Sequence, residues 1–195
     1  MDAINILVAV NFVYSMFMNL SGAKKGFKKK ISGVVERPKT YLQKTPPNIS
    51  ALIILATGLS VFNIGTLSFE NLGELIYYRV AGLLVYVIFS FLQVKAFKSL
   101  GDSYSQDIAF LKGQKLYTKG LYRVIRHPQY VSQILSDLGA GVALLSYTVI
   151  PLVLFLEFPL FMLRAMREEK LLQKHFGDEF LKYKKKSGFF FPFIG

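Results

Sequence analysis

The most constraining feature of this sequence is a continuous apolar run over residues 130–163. A single helix of that length would reach about 50 Å, which is too long for one crossing of a bilayer core of about 30 Å. Two helices of about 17 residues each fit the short end of the spanning range. Ser146-Tyr147-Thr148 offers a polar turn, and Pro151 suits an early helical position. The run therefore predicts a tight hairpin of two short membrane helices.

Three further apolar segments precede this hairpin, at about residues 3–20, 49–68 and 76–97, and each is long enough to cross a bilayer. The first is not a convincing signal peptide, because its basic residues follow the apolar run. Hydrophobic residues make up 52% of the chain, whereas soluble domains usually have roughly 45–50% even with Gly counted. We therefore predict an all-α integral membrane protein with five transmembrane helices, the last two forming the hairpin. The small residues 139–141 would let two helices approach closely.

Basic residues determine the predicted orientation. Of the 24 Lys and Arg residues, all but Arg79 fall in the segments 21–48, 95–128 and 164–195. Five crossings place these three segments on one side, which the positive-inside rule makes cytoplasmic, with the N-terminus outside. The net charge of +12 is therefore expected to face anionic lipid on the cytoplasmic side, and no nucleic-acid partner is expected.

The chain divides into two parts at the end of the third apolar segment. Residues 1–97 hold three helices and a basic cytoplasmic loop, and residues 98–195 hold a linker, the hairpin and a C-terminal tail. The sequence has no Cys and only two His residues. These counts exclude a disulfide framework and a Cys-based metal site, and they disfavour a His-rich centre, so no metal is expected.

The linker ends in a polar stretch directly before the hairpin. Gly113 and Gly120 are turn signals, and Pro128 suits the first turn of the fourth helix. His127 then lies at a helix N-terminus, which disfavours a positive charge, so its imidazole is expected to be neutral. One interpretation is that His127 and Arg126 only cap the helix and touch lipid phosphates. The other is that they belong to a site.

The second arm of the hairpin ends in an acidic pair. Arg164 and Glu168 are four residues apart and can pair on one helix face, which is the simplest interpretation. However, Glu168-Glu169 is a double acid on the most basic side of the protein, and ionisable groups at this depth are functional candidates. The hairpin brings its two ends to a helix–helix distance of about 8–10 Å. A cytoplasmic pocket with both signs of charge is therefore predicted, formed with the 98–128 linker and the tail.

Three motifs carry a resemblance to a known family. RHPQY, R-x-x-x-E-E-x-x-L and FGDEFLKYKKKSGFFFP follow one another between about Leu100 and Pro192. In order and spacing they resemble the isoprenylcysteine carboxyl methyltransferase family, whose wider relatives are phospholipid methyltransferases. The resemblance implies an integral membrane enzyme that uses S-adenosylmethionine and releases S-adenosylhomocysteine. The short five-span form is similar to prokaryotic members, which implies a prokaryotic cell membrane.

The resemblance also implies roles for particular residues. The residues expected at the cofactor are Leu116, Tyr117, Gly120, Tyr122, His127, Pro128, Tyr130, Glu168 and Glu169. The carboxylate of Glu168 or Glu169 suits the ammonium group of the cofactor. Leu116, Tyr117 and Tyr122 offer apolar surface for its adenine. Arg164 and Glu168 are the implied catalytic residues. Arg164 would hold a carboxylate acceptor by a bidentate pair, whereas an amine or hydroxyl acceptor would need His127 or a Glu to remove a proton.

The acceptor is less well determined than the cofactor. Phe189-Phe190-Phe191 replaces an Arg that many members carry, and Gly101-Asp102-Ser103-Tyr104 replaces a G-x-x-W motif. We expect a lipophilic or prenylated acceptor, with a carboxylate of isoprenylcysteine type favoured over a phospholipid amine. A non-catalytic basic membrane anchor and a reductase with a nicotinamide cofactor are the alternatives. The aromatic tail is expected to be an interface anchor rather than a cover over a pocket.

Overall fold

The computed structural model describes residues 1–29, 33–68 and 72–195, which are mostly helical, as predicted. The helices are α1 (Ala3–Lys29), α2 (Thr45–Val61), α3 (Leu72–Leu100), α4 (Pro128–Ala143), α5 (Val149–Leu152), α6 (Phe158–Phe176) and α7 (Asp178–Lys184). A π-helical turn (Val153–Glu157) joins α5 to α6. Single 3-10 turns occur at Tyr41–Gln43, Gly101–Ser103 and Gly120–Arg123. Two short strands that the sequence did not predict, β1 (Val34–Glu36) and β2 (Phe110–Leu111), pair antiparallel.

Two helical stretches in the described residues are long and apolar enough to cross a membrane. They are Leu75–Leu100 and Val149–Phe176, and a shorter apolar helix covers Ala3–Asn19. The helices α2 and α4 have 17 and 16 residues, which is marginal for a bilayer core of about 30 Å. The helices account for two clear spans, and five crossings stay a prediction.

Two predicted helix boundaries are wrong. The second helix covers Thr45–Val61 rather than 49–68, so its prolines lie inside the first turn instead of before the helix. Proline is tolerated there because the first N–H groups of a helix have no partner within it. The third helix continues to Leu100, so the first residues of the predicted linker at 98 are helical.

The two arms of the predicted hairpin differ in length. After α4, residues 144–148 form a turn, and Ser146 in that turn hydrogen-bonds to Ser60 of α2 at 2.8 Å. The second arm then runs through α5, the π-helical turn and α6 as one stretch of 28 residues, Val149–Phe176. This arm is longer than the predicted 17 residues or so, because helical structure continues through the polar Arg164–Glu169 segment to Phe176. The acidic pair therefore lies on a helix, as predicted.

The small residues of α4 permit close helix packing, but mainly against a different partner from the expected one. A Cβ atom on Gly139 would lie 2.5 Å from the backbone N of Tyr86 and 2.8 Å from the carbonyl O of Gly82, both in α3. A Cβ atom on Gly141 would meet Ile150 of the second arm at 2.9 Å. Gly139 thus permits the close α3–α4 contact, and Gly141 permits the contact between the two arms.

Arg79, the exception in the charge distribution, lies at the end of the bundle opposite the basic segments. Its guanidinium is buried, pairs with Asp2 at 2.6 Å and donates to the carbonyl O of Ala143 at 2.9 Å. Nearby, the Asn5 side chain donates to the carbonyl O of Val61 at 2.9 Å. The N-terminal end of α1, the end of α2 and the turn after α4 therefore meet at this end.

The three basic segments share the other end. Glu36 pairs with Lys174 at 2.8 Å and with His175 at 2.8 Å. The side chain of Gln43 donates to the carbonyl O of Ile108 and accepts from the N–H of the same residue, at 2.8 and 2.9 Å. These contacts join the segments 21–48, 95–128 and 164–195 around one end of the bundle.

Candidate functional site

A cavity of about 900 Å³, its open mouth included, lies at the basic end of the bundle and is called the first cavity here. Its walls come from the end of α3, the 103–117 loop, the start of α4, α6 and α7. Of the nine residues predicted at a cofactor, the seven that line it are Leu116, Tyr117, Tyr122, His127, Tyr130, Glu168 and Glu169. Arg126, which the site interpretation of the linker includes, also lines it, whereas sequence reasoning missed Leu100, Tyr104, Phe180 and Tyr183. The linker and the two arms thus meet at one site.

Arg126 anchors this site to the C-terminal tail. Its Nε donates to Glu169 Oε1 at 2.5 Å, and its Nη2 donates to the carbonyl O of Gly195 at 2.9 Å. Its Nη1 donates to the carbonyl oxygens of Ser187 and, at 3.2 Å, of Lys184. Only 5% of the residue is exposed. The interpretation that Arg126 caps a helix and touches lipid is therefore wrong, because its guanidinium is committed to α6 and the tail.

His127 precedes α4, as predicted, but its side chain makes no capping bond. Its Nε2 lies 3.4 Å from Glu169 Oε1, and its Nδ1 lies 3.9 Å from Glu168 Oε2. The Nε2–Glu169 contact lacks hydrogen-bond geometry, so Nε2 is buried without a hydrogen bond within the described chain. A buried polar atom without a partner is costly. His127 thus lines the first cavity with one ring nitrogen whose hydrogen-bonding capacity is unused in the described chain.

Tyr130 links the acidic pair to Arg164. Its hydroxyl donates to Glu168 Oε1 at 2.5 Å and accepts from Arg164 Nε at 2.9 Å. The predicted ion pair is present, with 3.2 Å between Arg164 Nε and Glu168 Oε1. Arg164 Nη2 also donates to the backbone carbonyl of Gln106. Arg164 is buried and is not among the residues that line the first cavity.

Two further predicted cofactor residues shape the first cavity without lining it. Gly120 has φ +59°, a conformation that glycine adopts readily, and it opens the 3-10 turn that carries Tyr122. Pro128 is the first residue of α4 and is buried. Its position directly after His127 sets where the imidazole enters the site. Both residues therefore act by positioning the chain.

Tyrosine side chains form the wall opposite the charges. The rings of Tyr117 and Tyr122 meet edge-on at 5.5 Å. Burial raises the pKa of Tyr122 well above its usual value and also raises the pKa of Tyr104. Tyr183 donates to the carbonyl O of Tyr122 at 2.6 Å, and burial raises its pKa to about 12. Tyr104, Tyr122 and Tyr183 therefore stay protonated at neutral pH and offer flat surfaces and hydrogen bonds, not bases.

The aromatic tail is only partly an exposed surface. The ring of Phe189 meets the His127 ring at 5.2 Å, and Phe190 is buried against the helical core. Phe191 and Phe193 are exposed. The prediction of an interface anchor is therefore wrong for the first two phenylalanines, because they cover the imidazole and pack on the bundle.

The charges of the first cavity are largely paired but leave one carboxylate oxygen available. Lys184 Nζ lies 3.3 Å from Glu169 Oε2, so Glu169 contacts a cation through both oxygens. In the part of the chain that the structure describes, the nearest charged partner of Glu168 Oε2 is His127 Nδ1, at 3.9 Å. The Glu168 side chain is 24% exposed. Glu168 is therefore the carboxylate best placed to receive a cationic group from the cavity.

These features define a class of protein: a helical membrane fold with a mixed-charge cavity between the start of α4 and the second half of α6. A family model described as phospholipid methyltransferase matches residues 77–179. The chain is 28% identical over 135 residues to the protein-S-isoprenylcysteine O-methyltransferase of Tribolium castaneum, covering 68% of this chain and 48% of that protein. It is 32% identical over 133 residues to a probable protein-S-isoprenylcysteine O-methyltransferase of Oryza sativa subsp. japonica, covering 66% of this chain and 68% of that protein.

A solved structure shares the fold. The eukaryotic intramembrane Ras methyltransferase ICMT (isoprenylcysteine carboxyl methyltransferase) matches with a TM-score of 0.67 at 19% identity, covering 100% of this chain and 69% of that chain. The chain thus belongs to the isoprenylcysteine carboxyl methyltransferase family, within the phospholipid methyltransferases. It spans about half the length of several of the relatives that it matches.

Proposed function

We propose that this protein is an integral membrane methyltransferase that transfers a methyl group from S-adenosylmethionine to a lipophilic acceptor, a carboxylate of isoprenylcysteine type. The observation that carries the proposal is the first cavity, where His127, Glu168 and Glu169 from two arms face one space. The chain would cross the membrane five times, with its N-terminus outside and its basic end in the cytoplasm. The cofactor would then enter from the cytosol and the acceptor from the bilayer.

The residues of the first cavity fit the chemistry of the cofactor. Glu168 Oε2 is available for the ammonium group through a charge-assisted hydrogen bond. The buried Nε2 of His127 lacks a hydrogen bond and would gain one from a polar group of the ligand. Leu116, Tyr117 and Tyr122 supply apolar and aromatic surface for the adenine. When bound, the cofactor supplies a methyl group on a positively charged sulfur.

The protein's own task in this reaction is alignment and exclusion of water. Methyl transfer needs the acceptor, the methyl group and the sulfur in line, so positioning contributes most of the rate. Phe189 covers the imidazole side of the site and limits access of water. A carboxylate acceptor is already ionised at neutral pH and needs no general base. Arg164 contacts the donor side through Glu168 and would face such a carboxylate.

The proposed donor site is tested by calorimetry with S-adenosylhomocysteine and the purified wild-type protein. Binding is expected, and Glu168→Gln is expected to weaken it about tenfold or more, because a hydrogen bond to a charged group contributes about 1.5–3 kcal/mol. Glu179→Gln is the matched control, since Glu179 is an exposed acid on α7 outside the cavity. Absence of binding by the wild type would refute the proposed function.

The acceptor is tested separately by transfer of a radiolabelled methyl group. An S-farnesylated cysteine with a free carboxylate should be labelled, whereas its methyl ester should not. Labelling of phosphatidylethanolamine in place of the prenylcysteine would keep the methyltransferase and replace its acceptor. A thermal-shift comparison with NADPH addresses the reductase alternative, which predicts stabilisation by the nicotinamide cofactor and none by S-adenosylhomocysteine.

A further inference from the structure

A second cavity, of about 850 Å³ with its opening, lies between helices α1 to α4. Phe12, Met16 and Ile54 give it apolar walls. Polar groups also face it, among them Gln133 and Asp137 on one face of α4. A cavity with apolar walls and a few polar groups is the usual form of a small-molecule site. Its polar groups are those that would orient a ligand.

Asp137 interacts with a second acid directly behind this wall. Glu157, from the π-helical turn, is fully buried and interacts electrostatically with Asp137. Gln133 Nε2 and Ser50 Oγ donate to Glu157 Oε1 at 2.9 and 3.1 Å. Glu157 Oε2 has no hydrogen bond in the part of the chain that the structure describes. Asp137 and Glu157 also lie within hydrogen-bond reach of each other, so the pair either shares a proton or is neutralised from outside.

The part of the chain that the structure describes provides no positive side chain that neutralises this pair. Among the described residues, neither Asp137 nor Glu157 forms an ion pair with Lys, Arg or His. Two neighbouring carboxyl groups in an apolar interior cannot both be charged without a partner, so they share a proton or they hold a cation. Asp137 faces open space, and a ligand cation can therefore reach it.

The second cavity adjoins the first. Gln106 lines the second cavity, while its chain neighbours Ser105 and Asp107 line the first. The backbone carbonyl of Gln106 also accepts a hydrogen bond from Arg164. A polar group held at this end of the second cavity would therefore lie across a thin wall from the first cavity.

Half of the second cavity comes from outside the region that matches the family model. That model covers residues 77–179, whereas Ser15 on α1 and Thr57 on α2 supply polar groups from the N-terminal part of the chain. The N-terminal part of the chain therefore contributes to the lining of this cavity together with the matched region.

We propose that the second cavity binds a lipophilic ligand that carries a cationic amine, with Asp137 facing the ammonium group and Glu157 positioning Asp137 from behind. The ammonium would neutralise the acid pair, and the alkyl part would lie along the apolar walls toward the lipid. The proposal concerns binding only and does not make this amine the methyl acceptor, which the proposed function takes to be a carboxylate. The binding claim itself stands on the second cavity alone.

The test compares three probes with the same alkyl chain: dodecylamine, dodecanol and dodecanoate. Binding to the purified protein in a non-ionic detergent is measured by calorimetry. The wild type should bind the amine in preference to the alcohol and the carboxylate, and Asp137→Asn should weaken amine binding about tenfold. Asp137→Glu, which keeps the charge, should retain part of the affinity. Asp178→Asn, an exposed acid on α7, is the control and should bind like the wild type.

The outcomes separate this proposal from the proposed function. Equal binding of the amine and the alcohol, or unchanged amine binding by Asp137→Asn, would overturn it and mean that the two acids share a proton. S-adenosylhomocysteine binding is measured on the same proteins and should be retained in Asp137→Asn, which also shows that the variant is folded. If the wild type does not bind S-adenosylhomocysteine, that result would instead refute the first cavity as a donor site.

Discussion

The two cavities differ in how their charges are neutralised. In the first cavity, Glu169 meets Arg126 at 2.5 Å and Lys184 at 3.3 Å, so each oxygen of the acid has a cation of the chain beside it. In the second cavity, Asp137 meets another acid, Glu157, and no cation of the described chain. Glu169 in the first cavity is therefore neutralised within the chain before a ligand binds. The second requires a proton or a ligand.

This difference separates two ways of building a site. A cavity whose charges pair within the chain keeps its shape when empty, and preorganised charges favour precise positioning of a reacting group. A cavity with an unneutralised acid pair loses stability in exchange for a preference among ligands. Variants that break each arrangement should therefore have opposite effects on stability.

The largest effect is expected from Arg126→Ala. The change leaves Glu169 buried with one fewer cation and releases the tail carbonyls of Ser187 and Gly195. Removing one partner of a buried ion pair costs about 3–5 kcal/mol. The free energy of unfolding in detergent should fall accordingly. Arg123→Ala, an exposed arginine nearby, should have little effect, and equal stability of the two variants would show that the Arg126 pair is not structural.

A smaller effect is expected from Gly139→Ala, which addresses the wall of the second cavity. The new Cβ would lie 2.5 Å from the backbone N of Tyr86, a residue that lines the second cavity. Overpacking of this kind costs about 1–3 kcal/mol, which thermal unfolding can detect. At Gly58 the new Cβ would meet Phe12 at an ordinary 3.8 Å, so Gly58→Ala should be close to neutral. Equal losses in both variants would contradict the close α3–α4 contact.

Asp137→Asn in the absence of ligand compares the charge arrangements of the two cavities directly. Because this change relieves an acid pair and breaks no ion pair, the free energy of unfolding should stay within about 1 kcal/mol of wild type or rise. Glu169→Gln in the first cavity should lower it, since Arg126 then loses its carboxylate. Chemical denaturation of both variants measures these free energies. A large loss of unfolding free energy in Asp137→Asn would mean that Asp137 has a cation partner in the second cavity.

The smallest effect is expected from the exposed pair outside both cavities. Lys174, with His175, lowers the pKa of Glu36 below its usual 4.5. A lowered pKa in the folded state adds stability above the unfolded value, and this is lost as the pH falls through the folded value. Glu36→Gln should therefore have a slightly lower Tm than wild type at pH 7. The difference should vanish when the pH is well below 4.5, and a difference that persisted there would contradict the pairing.

Much of the first cavity could be predicted from the sequence, because its residues lie in short motifs on helices. His127 and Pro128 stand where α4 begins, and the Arg164–Glu168 pair follows from a four-residue spacing on α6. Helical periodicity carries such information locally. The role of Arg126 could not be predicted in this way, since its partners Ser187 and Gly195 lie more than 60 residues further along the chain.

The second cavity was not predicted at all, for a physical reason. Asp137 lies in an apolar run and gives no local sign of a partner. Its environment depends on the contact of α4 with α3 through Gly139 and on the π-helical turn that carries Glu157. Sequence reasoning placed the glycines between the two hairpin arms, which hid the α3–α4 contact. A carboxyl group inside a predicted span was the signal that could have drawn attention to this cavity.

The central claim is that the inner ends of α4 and α6 hold an adenosyl nucleotide between them. An experimental structure of the protein with S-adenosylhomocysteine tests this most directly. The account predicts ligand density in the first cavity, with the amino group beside Glu168, the adenine against Tyr117 or Tyr122, and a polar ligand atom on His127 Nε2. Ligand density only in the second cavity would contradict it. An empty first cavity in protein saturated with S-adenosylhomocysteine would contradict it as well.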